Sequence, residues 1–324
     1  MTNETSDPQP TSRPRARQLL SILVGLGVGA ILFGFAVGLK ALVHPDSDVI
    51  GTYGTALIVL VPLAEGLGLG LSLGPKRIGI GNGIALIGLL YVVQIVFAVI
   101  FLREGVICLI IGSPLLLGLT GIGAWIGRAI AHRRNRTLQV SLVPLMLVLA
   151  AVNTLGPRPD KLEAVSDSVV VDAPPAAVWR YIVSYPENTA PPEYWLWRIG
   201  LPEPVQSVAE APAIGAKRQC RFTKGMAFEE RIVELTPDRS MTFAVTKQPD
   251  DPEAMGHFRF DKGQLILTPL PGNRTRLTAI SWYELYVQPY AYFNWWTTDI
   301  VRQVHFRVMN HMKALAERDY RQAT

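Results

Sequence analysis

The sequence predicts two unlike halves. An α-helical transmembrane bundle of about five spans comes first, and an α+β domain follows in which a curved antiparallel sheet wraps a long C-terminal helix. Three observations carry this. Of 324 residues, 49% are hydrophobic and only 18% charged, against about 25% charged in an ordinary soluble protein. The net charge of +5 is unevenly placed: residues 1–157 hold 11 Lys+Arg and 6 Asp+Glu, whereas 158–324 hold 20 of each. Glycine and tryptophan divide at the same point, with 22 of 28 glycines before Pro157 and six of seven tryptophans after it. The composition excludes disorder and collagen. Cys108 and Cys220 are too few for a disulfide framework or a four-ligand zinc site.

A spanning helix needs about 20 apolar residues to cross a hydrocarbon core of roughly 30 Å. Five stretches are expected to span, at about 18–43, 49–73, 78–102, 106–130 and 138–155, the last the shortest and interrupted by Pro144. The first has an apolar run well beyond the 7 to 15 residues of a secretory signal. Residues 1–17 are expected to be a disordered cytoplasmic tail, and 18–156 the membrane domain. Positive residues flanking a span resist translocation. Arg13, Arg15 and Arg17, then Lys76 and Arg77, then Arg128, Arg133, Arg134 and Arg136 fall on one side. Lys40 and Arg103 fall on the other, beside Asp46, Asp48 and Glu104. The expected protein is therefore integral to an inner or plasma membrane, with its N-terminus cytoplasmic and its C-terminal domain outside. The basic "AHRRNR" loop is a topology signal in this reading, and no nucleic-acid partner is expected.

The glycine clusters lie within apolar runs of spanning length, where a dinucleotide fingerprint would need a strand before it and a helix after it. Gly25 with Gly29, Gly34 with Gly38 and Gly66 with Gly70 are read as close-packing sites for helices in lipid. Glu65 is the one acidic residue well inside a span. It marks either an ion relay near Pro62 or a hydrogen-bonded carboxyl, with Gln94 of the next span as its partner.

A Pro-rich, charged linker at 157–164 leads to a domain at 165–320. "SDSVVVDA" alternates like a strand, and "PPAAVWRYIVS" opens with proline as a helix's first turn does. After an irregular Pro- and Trp-rich stretch, strand-like segments fall near 204–211, 216–224, 226–236, 240–247, 257–268 and 274–287, each bounded by turn residues. A helical pattern runs from Tyr290 to Arg318, with Ile300, Val304, Val308, His311 and Leu315 on one stripe and Val301, His305 and Met312 along its flank.

Those segments, "VSDSVVVDAPPAAVWRYIVSYPE", "FTKGMAFEERIVELTPDRSMTFAV" and "VRQVHFRVMNHMKALAERD", resemble the helix-grip superfamily of START-like domains, also called SRPBCC, which includes polyketide cyclase/dehydrase-type members. The resemblance covers residues 162–320 or so, about half the chain. It implies a cavity between sheet and helix that takes a lipid, a polyketide or another apolar or aromatic small molecule. It implies no universal catalytic signature.

Trp282, Tyr286, Trp296, Val304, Val308 and His311 are the expected cavity wall, since aromatic side chains with a few polar groups commonly line small-molecule sites. The same aromatics also suit an ordinary core or an interfacial belt. His305 and His311, with Glu229 or Glu284 as tuning partners, are the candidates for acid–base chemistry. Glu230, Arg221 and Arg259 are also within consideration, and strand parity in "FEERIVEL" leaves the inward glutamate open. No spaced metal set appears among His44, His132, His257, His305 and His311, so neither metal nor cofactor is expected. "YVQPYAYFNWW" suits a segment dipping into the membrane interface, a lid, or plain packing of the helix start.

Three function classes remain at this point. A membrane-anchored domain that binds an apolar ligand needs only the cavity, and it leads. A cyclase or dehydratase needs a polar pair converging on that cavity, and a transporter or sensor needs the bundle around Glu65.

Overall fold

The computed structural model describes residues 14–43, 56–73, 80–102, 105–132, 161–249 and 258–323. The fifth expected span, most of the N-terminal tail and half of the linker lie outside the described residues. The chain divides into two compact units, one drawn mainly from residues up to Gly156 and the other mainly from Pro157–Thr324.

The first unit is helical: α1 (Pro14–Val43), α2 (Val61–Leu73) entered through a π-helical turn at Ala56–Leu60, α3 (Ile80–Phe97) continued by another at Ala98–Leu102, and α4 (Val106–His132). Among the described residues two helices, not five, are long and apolar enough to cross a membrane, Ile80–Ile100 and Val106–His132. Leu19–Phe35 and Ile58–Leu73 are apolar but shorter. At 1.5 Å per residue each rises roughly 25 Å, less than the roughly 30 Å of a hydrocarbon core.

Within this unit the small residues do what their spacing implied in two of three cases. A methyl group at Gly25 would press on the Glu65 carbonyl, and at Gly66 or Gly70 it would run into the α4 backbone at Thr120 and Ala124. Helices approach that closely only where no Cβ intervenes. Gly34 and Gly38 face open space. Glu65 accepts a hydrogen bond from Gln94, whose Nε2 is also 3.3 Å from Thr120 Oγ1.

The second unit is a seven-stranded antiparallel sheet, curved into a half-barrel, with a long helix along it. The strands are β1 (Leu162–Val171), β2 (Pro204–Ala209), β3 (Lys217–Phe222), β4 (Ala227–Thr236), β5 (Ser240–Lys247), β6 (Phe258–Leu270) and β7 (Arg274–Leu285), in the order β1-β7-β6-β5-β4-β3-β2. Short helices α5 (Pro175–Trp179) and α6 (Trp195–Arg198) lie between β1 and β2, and α7 (Tyr290–Ala323) closes the chain. Register shifts in the β2–β3, β4–β5 and β6–β7 pairs insert extra residues, which bend strands and increase local twist.

Period-2 alternation decides what faces the helix. On β7, Leu277, Ala279, Tyr283 and Leu285 are buried, and on β1 Val165 and Val171 are. Of these, Leu277, Ala279 and Val171 meet Val178 and Ile182 from the α5 region and Met309, Met312, Leu315 and Ala316 from α7 in one apolar core. The buried stripe of α7 is Val301, His305, Met309, Met312 and Leu315. It is turned by about one residue from the stripe expected around Ile300, Val304 and His311, because spacings of 4, 4, 3 and 3 track the 3.6-residue period with the larger side chains inward.

Candidate functional site

The core fills the C-terminal half of α7 and stops at Val308. One turn earlier lies a cavity of about 110 Å³ walled by Phe222, Phe228, Phe243 and Phe260 from the strands and by Val304 and Val308 from α7. The rings of Phe222, Phe228, Phe260 and Tyr283 form a series, the first pair tilted and the next two edge-to-face, with neighbouring centroids 5.4, 5.7 and 6.0 Å apart. Such contacts fix ring positions beyond simple area burial. Gly263 on β6 has no side chain, and the Phe243 ring lies where its Cβ would be.

Two polar groups enter this apolar space. Arg218 on β3 stands directly opposite Glu230 on β4. They form an ion pair, with side chains only 3% and 5% exposed. The Arg218 Nε donates to the Val183 carbonyl at 3.0 Å, and the guanidinium lies 4.8 Å from the centroid of the Phe243 ring. Burial pushes Glu230 above the ordinary carboxylate range, with Arg218 opposing that shift. Cys220 beside them is pushed up to about 12, again by burial first, so it is a neutral thiol and a poor nucleophile.

The second group is a relay. His305 on α7 is 2.8 Å from Ser281 Oγ through Nε2, and 2.9 Å from Asp167 Oδ2 through Nδ1. Arg302 Nε donates to the other oxygen of Asp167 at 3.1 Å. An ionised carboxylate only accepts hydrogen bonds, so in the neutral imidazole the proton sits on Nδ1. Nε2 is then the acceptor and the Ser281 hydroxyl the donor. Burial pulls His305 below its ordinary value, and Asp167 draws it partly back. The ring is therefore a neutral base near pH 7, aimed at a hydroxyl on the cavity wall. Three elements make this possible: Val165 of β1 pairs with Ser281 of β7, Asp167 pairs with Ala279 two residues along, and α7 lays His305 over both.

Of the residues expected to line the cavity, Val304 and Val308 do so. Trp282 points the other way from Ser281 by strand alternation, with Lys262 Nζ 4.9 Å from its ring centroid. Tyr286 bonds to Glu284 and Arg259. Trp296 packs against Trp195 and Trp295. The His311 Nε2 is 2.9 Å from the Pro186 carbonyl, outside the cavity lining. Among the acid–base candidates, His305 is on the wall. Glu284 pairs with Arg259 at 2.9 Å, and the exposed Glu229 pairs with Lys247 at 3.5 Å. Glu230, one residue on from Glu229, faces inward. Arg221 is exposed, beside Gln219 and Gln206.

Asp167, Ser281 and Arg218 carry the polar chemistry of the site and stand outside the expected set. A signal for the first two exists in the strands themselves. Val165, Asp167, Val169 and Val171 share one strand face, as do Leu277, Ala279, Ser281 and Tyr283, so each of the two polar residues interrupts an inward apolar series. No metal-holding cluster of His, Cys, Asp and Glu occurs among the described residues.

This geometry can be set beside known proteins. Residues 163–322 match the family described as polyketide cyclase / dehydrase and lipid transport. The comparison with curated proteins finds no match. Similar solved structures include the Zhui aromatase/cyclase from Streptomyces sp. R1128, at 16% identity over 50% of this chain and 98% of that one, with a TM-score of 0.36. A START superfamily protein from Mycobacterium smegmatis aligns at 14% identity over 50% of this chain and 99% of that one, with a TM-score of 0.31. The polyketide cyclase/dehydrase and lipid transport match thus covers the sheet, α7 and every cavity residue named above, and stops short of the helical unit.

Proposed function

We propose that the second unit binds a small apolar or aromatic molecule in the cavity between α7 and the sheet, and that the apolar helices of the first unit hold it at a membrane. One observation carries the reading: the cavity has phenylalanine walls and a buried ion pair, Arg218–Glu230, able to orient a polar substituent. Its size sets the class of ligand. Drug-sized pockets run to about 300–1,000 Å³, and an apolar cavity of about 150 Å³ accepts benzene. A space of about 110 Å³ therefore suits one ring or a short acyl chain, and a whole lipid enters only if α7 moves away from the sheet.

The test uses the full chain purified in detergent. Small molecules extracted from it are compared by mass spectrometry with those from a Val308→Phe variant, whose extra ring fills the cavity. A molecule present in the first and missing in the second supports the reading. Identical extracts overturn it.

A second reading, an enzyme of cyclase or dehydratase type acting in the same cavity, is favoured by His305. It stands on the cavity wall, with Ser281 and Asp167 holding its two ring nitrogens. For the membrane arrangement we propose the sidedness that the charges predict: the N-terminus inside and the binding unit outside the cytoplasm. A reporter active only outside the cytoplasm, fused after Thr324, would be active under this arrangement. Activity confined to a cytoplasmic reporter at the same place would overturn it.

A further inference from the structure

We propose that Ser281 is a nucleophile that takes the acyl group from small aryl esters, with His305 as its general base and Asp167 as the residue that positions His305. The proposal rests on the cavity being open to a ligand, and goes beyond binding to a hydrolytic activity.

The three side chains stand in the order that acyl transfer requires. The Ser281 hydroxyl is 2.8 Å from Nε2, and the Asp167 carboxylate is 2.9 Å from Nδ1. A constellation of this kind is recognised by geometry and roles and occurs on unrelated folds. The two ends differ in access: Ser281 and His305 line the cavity, whereas Asp167 lies behind the ring and outside the lining. The carboxylate is additionally held by Arg302. A buried serine–histidine–aspartate contact that served packing alone would not need its hydroxyl on a cavity wall.

The substrate class follows from what surrounds Ser281. Its backbone lies in β7, a strand paired on both sides, with Val165 opposite on β1 and Gly263 opposite on β6. The backbone N–H groups that would receive a developing oxyanion in a loop-borne site are here engaged in the ladder. Esters with a good leaving group need that assistance least, and phenols are such groups. The Phe243 ring, seated over Gly263 beside Ser281, gives an aryl group an apolar surface.

The step balances. Ser281 Oγ forms a bond to the ester carbonyl carbon while its proton passes to His305 Nε2. The bond from that carbon to the aryl oxygen breaks, and His305 returns the proton to the phenolate. Water then attacks the acyl-serine, giving a proton to His305. The acid leaves, and Ser281 recovers its hydroxyl proton. The net change is ester plus water to acid plus phenol.

The full chain in detergent is treated with 4-nitrophenyl acetate, followed as nitrophenol release, and separately with a fluorophosphonate, followed as an adduct on the Ser281 peptide by mass spectrometry. The expected result is a Ser281 adduct and saturable release. Both are lost in Ser281→Ala and cut at least about 100-fold in His305→Gln, the size usual for loss of a general base. Asp167→Asn should lower kcat with KM held, since it disturbs the ring's tautomer and not the cavity. Binding of phenol, read by titration calorimetry, should persist in Ser281→Ala. Wild-type protein with no adduct at Ser281, or labelling undiminished in His305→Gln, overturns the nucleophile. If phenol still binds in that case, the cavity reading stands; if binding is also absent, both fall.

Discussion

Arg218 and Glu230 face each other across β3 and β4, and their charged ends meet where almost no solvent reaches. Removing two charges from water costs several kcal/mol per ion, which their mutual attraction offsets only in good geometry with further hydrogen bonds. Arg218 has both, through Val183 and the Phe243 ring. Breaking the pair from one side leaves an uncompensated buried charge.

Glu230→Ala is therefore expected to destabilise the second unit by about 3–5 kcal/mol, the range for a broken buried pair. The paired change Arg218→Met with Glu230→Leu should cost much less, because both charges go together. Chemical denaturation of the three proteins checks this. Equal losses in the single and the paired variant would show that the ion pair is not what holds β3 to β4.

Phe243 and Gly263 give a second test. A Cβ at Gly263 would sit within the Phe243 ring, at 2.3 Å from its nearest carbon. Gly263→Ala should cost about 1–3 kcal/mol, as overpacking does, and should displace the ring under Arg218. The expected signature is loss of stability together with weakened binding of an aromatic probe. Full retention of both would mean that the ring moves freely.

Most of this architecture is legible in the sequence because it rests on periodicity. Seven alternating segments, each closed by turn residues such as "TPDR" and "LPGNR", return as seven strands, and the stretch beginning at Tyr290 returns as α7. What periodicity does not fix is the angle at which a helix settles on a curved sheet. His305 and His311 are six residues apart and so about 120° apart on a helical wheel, and the pattern alone does not say which of the two meets the cavity. Packing of Met309 and Met312 brings the first over Ser281 and leaves the second against Pro186. Asp167 and Ser281 are adjacent only because β1 pairs with β7, the last strand, a connection of more than 100 residues that no local pattern encodes. Trp282 and Trp296 drew the expectation of a cavity wall by their size. Strand parity and the position of Trp296 at the start of α7 place them elsewhere.

In the first unit, Gly66 and Gly70 lie against the α4 backbone with no room for a side chain. Gly66→Val should separate α2 from α4 and disturb the Glu65–Gln94–Thr120 contacts, whereas Gly34→Val, in open space, should be neutral. The expected outcome is a clear fall in thermal stability in detergent for the first and no change for the second. Equal behaviour would remove the close-packing reading of these glycines.

His305 and His311 set an acid limit on the second unit. Both are pulled below their ordinary value of about 6.5, in each case by burial first. In the unfolded chain they titrate near that ordinary value. As pH falls through about 6.5 the unfolded state takes up protons that the folded state still refuses, so stability drops. The loss begins near the unfolded value and continues down to the folded ones; above it the full contribution is present. Denaturation midpoints measured between pH 7.5 and 5 should fall for the native protein and fall less for His305→Gln and for His311→Gln. Comparison at pH 7.5 separates this effect from lost packing, because there both histidines are neutral in either state and only contacts differ. A midpoint that rises on acidification, or one whose slope is untouched by either substitution, would show that neither ring is held in its neutral form by the fold.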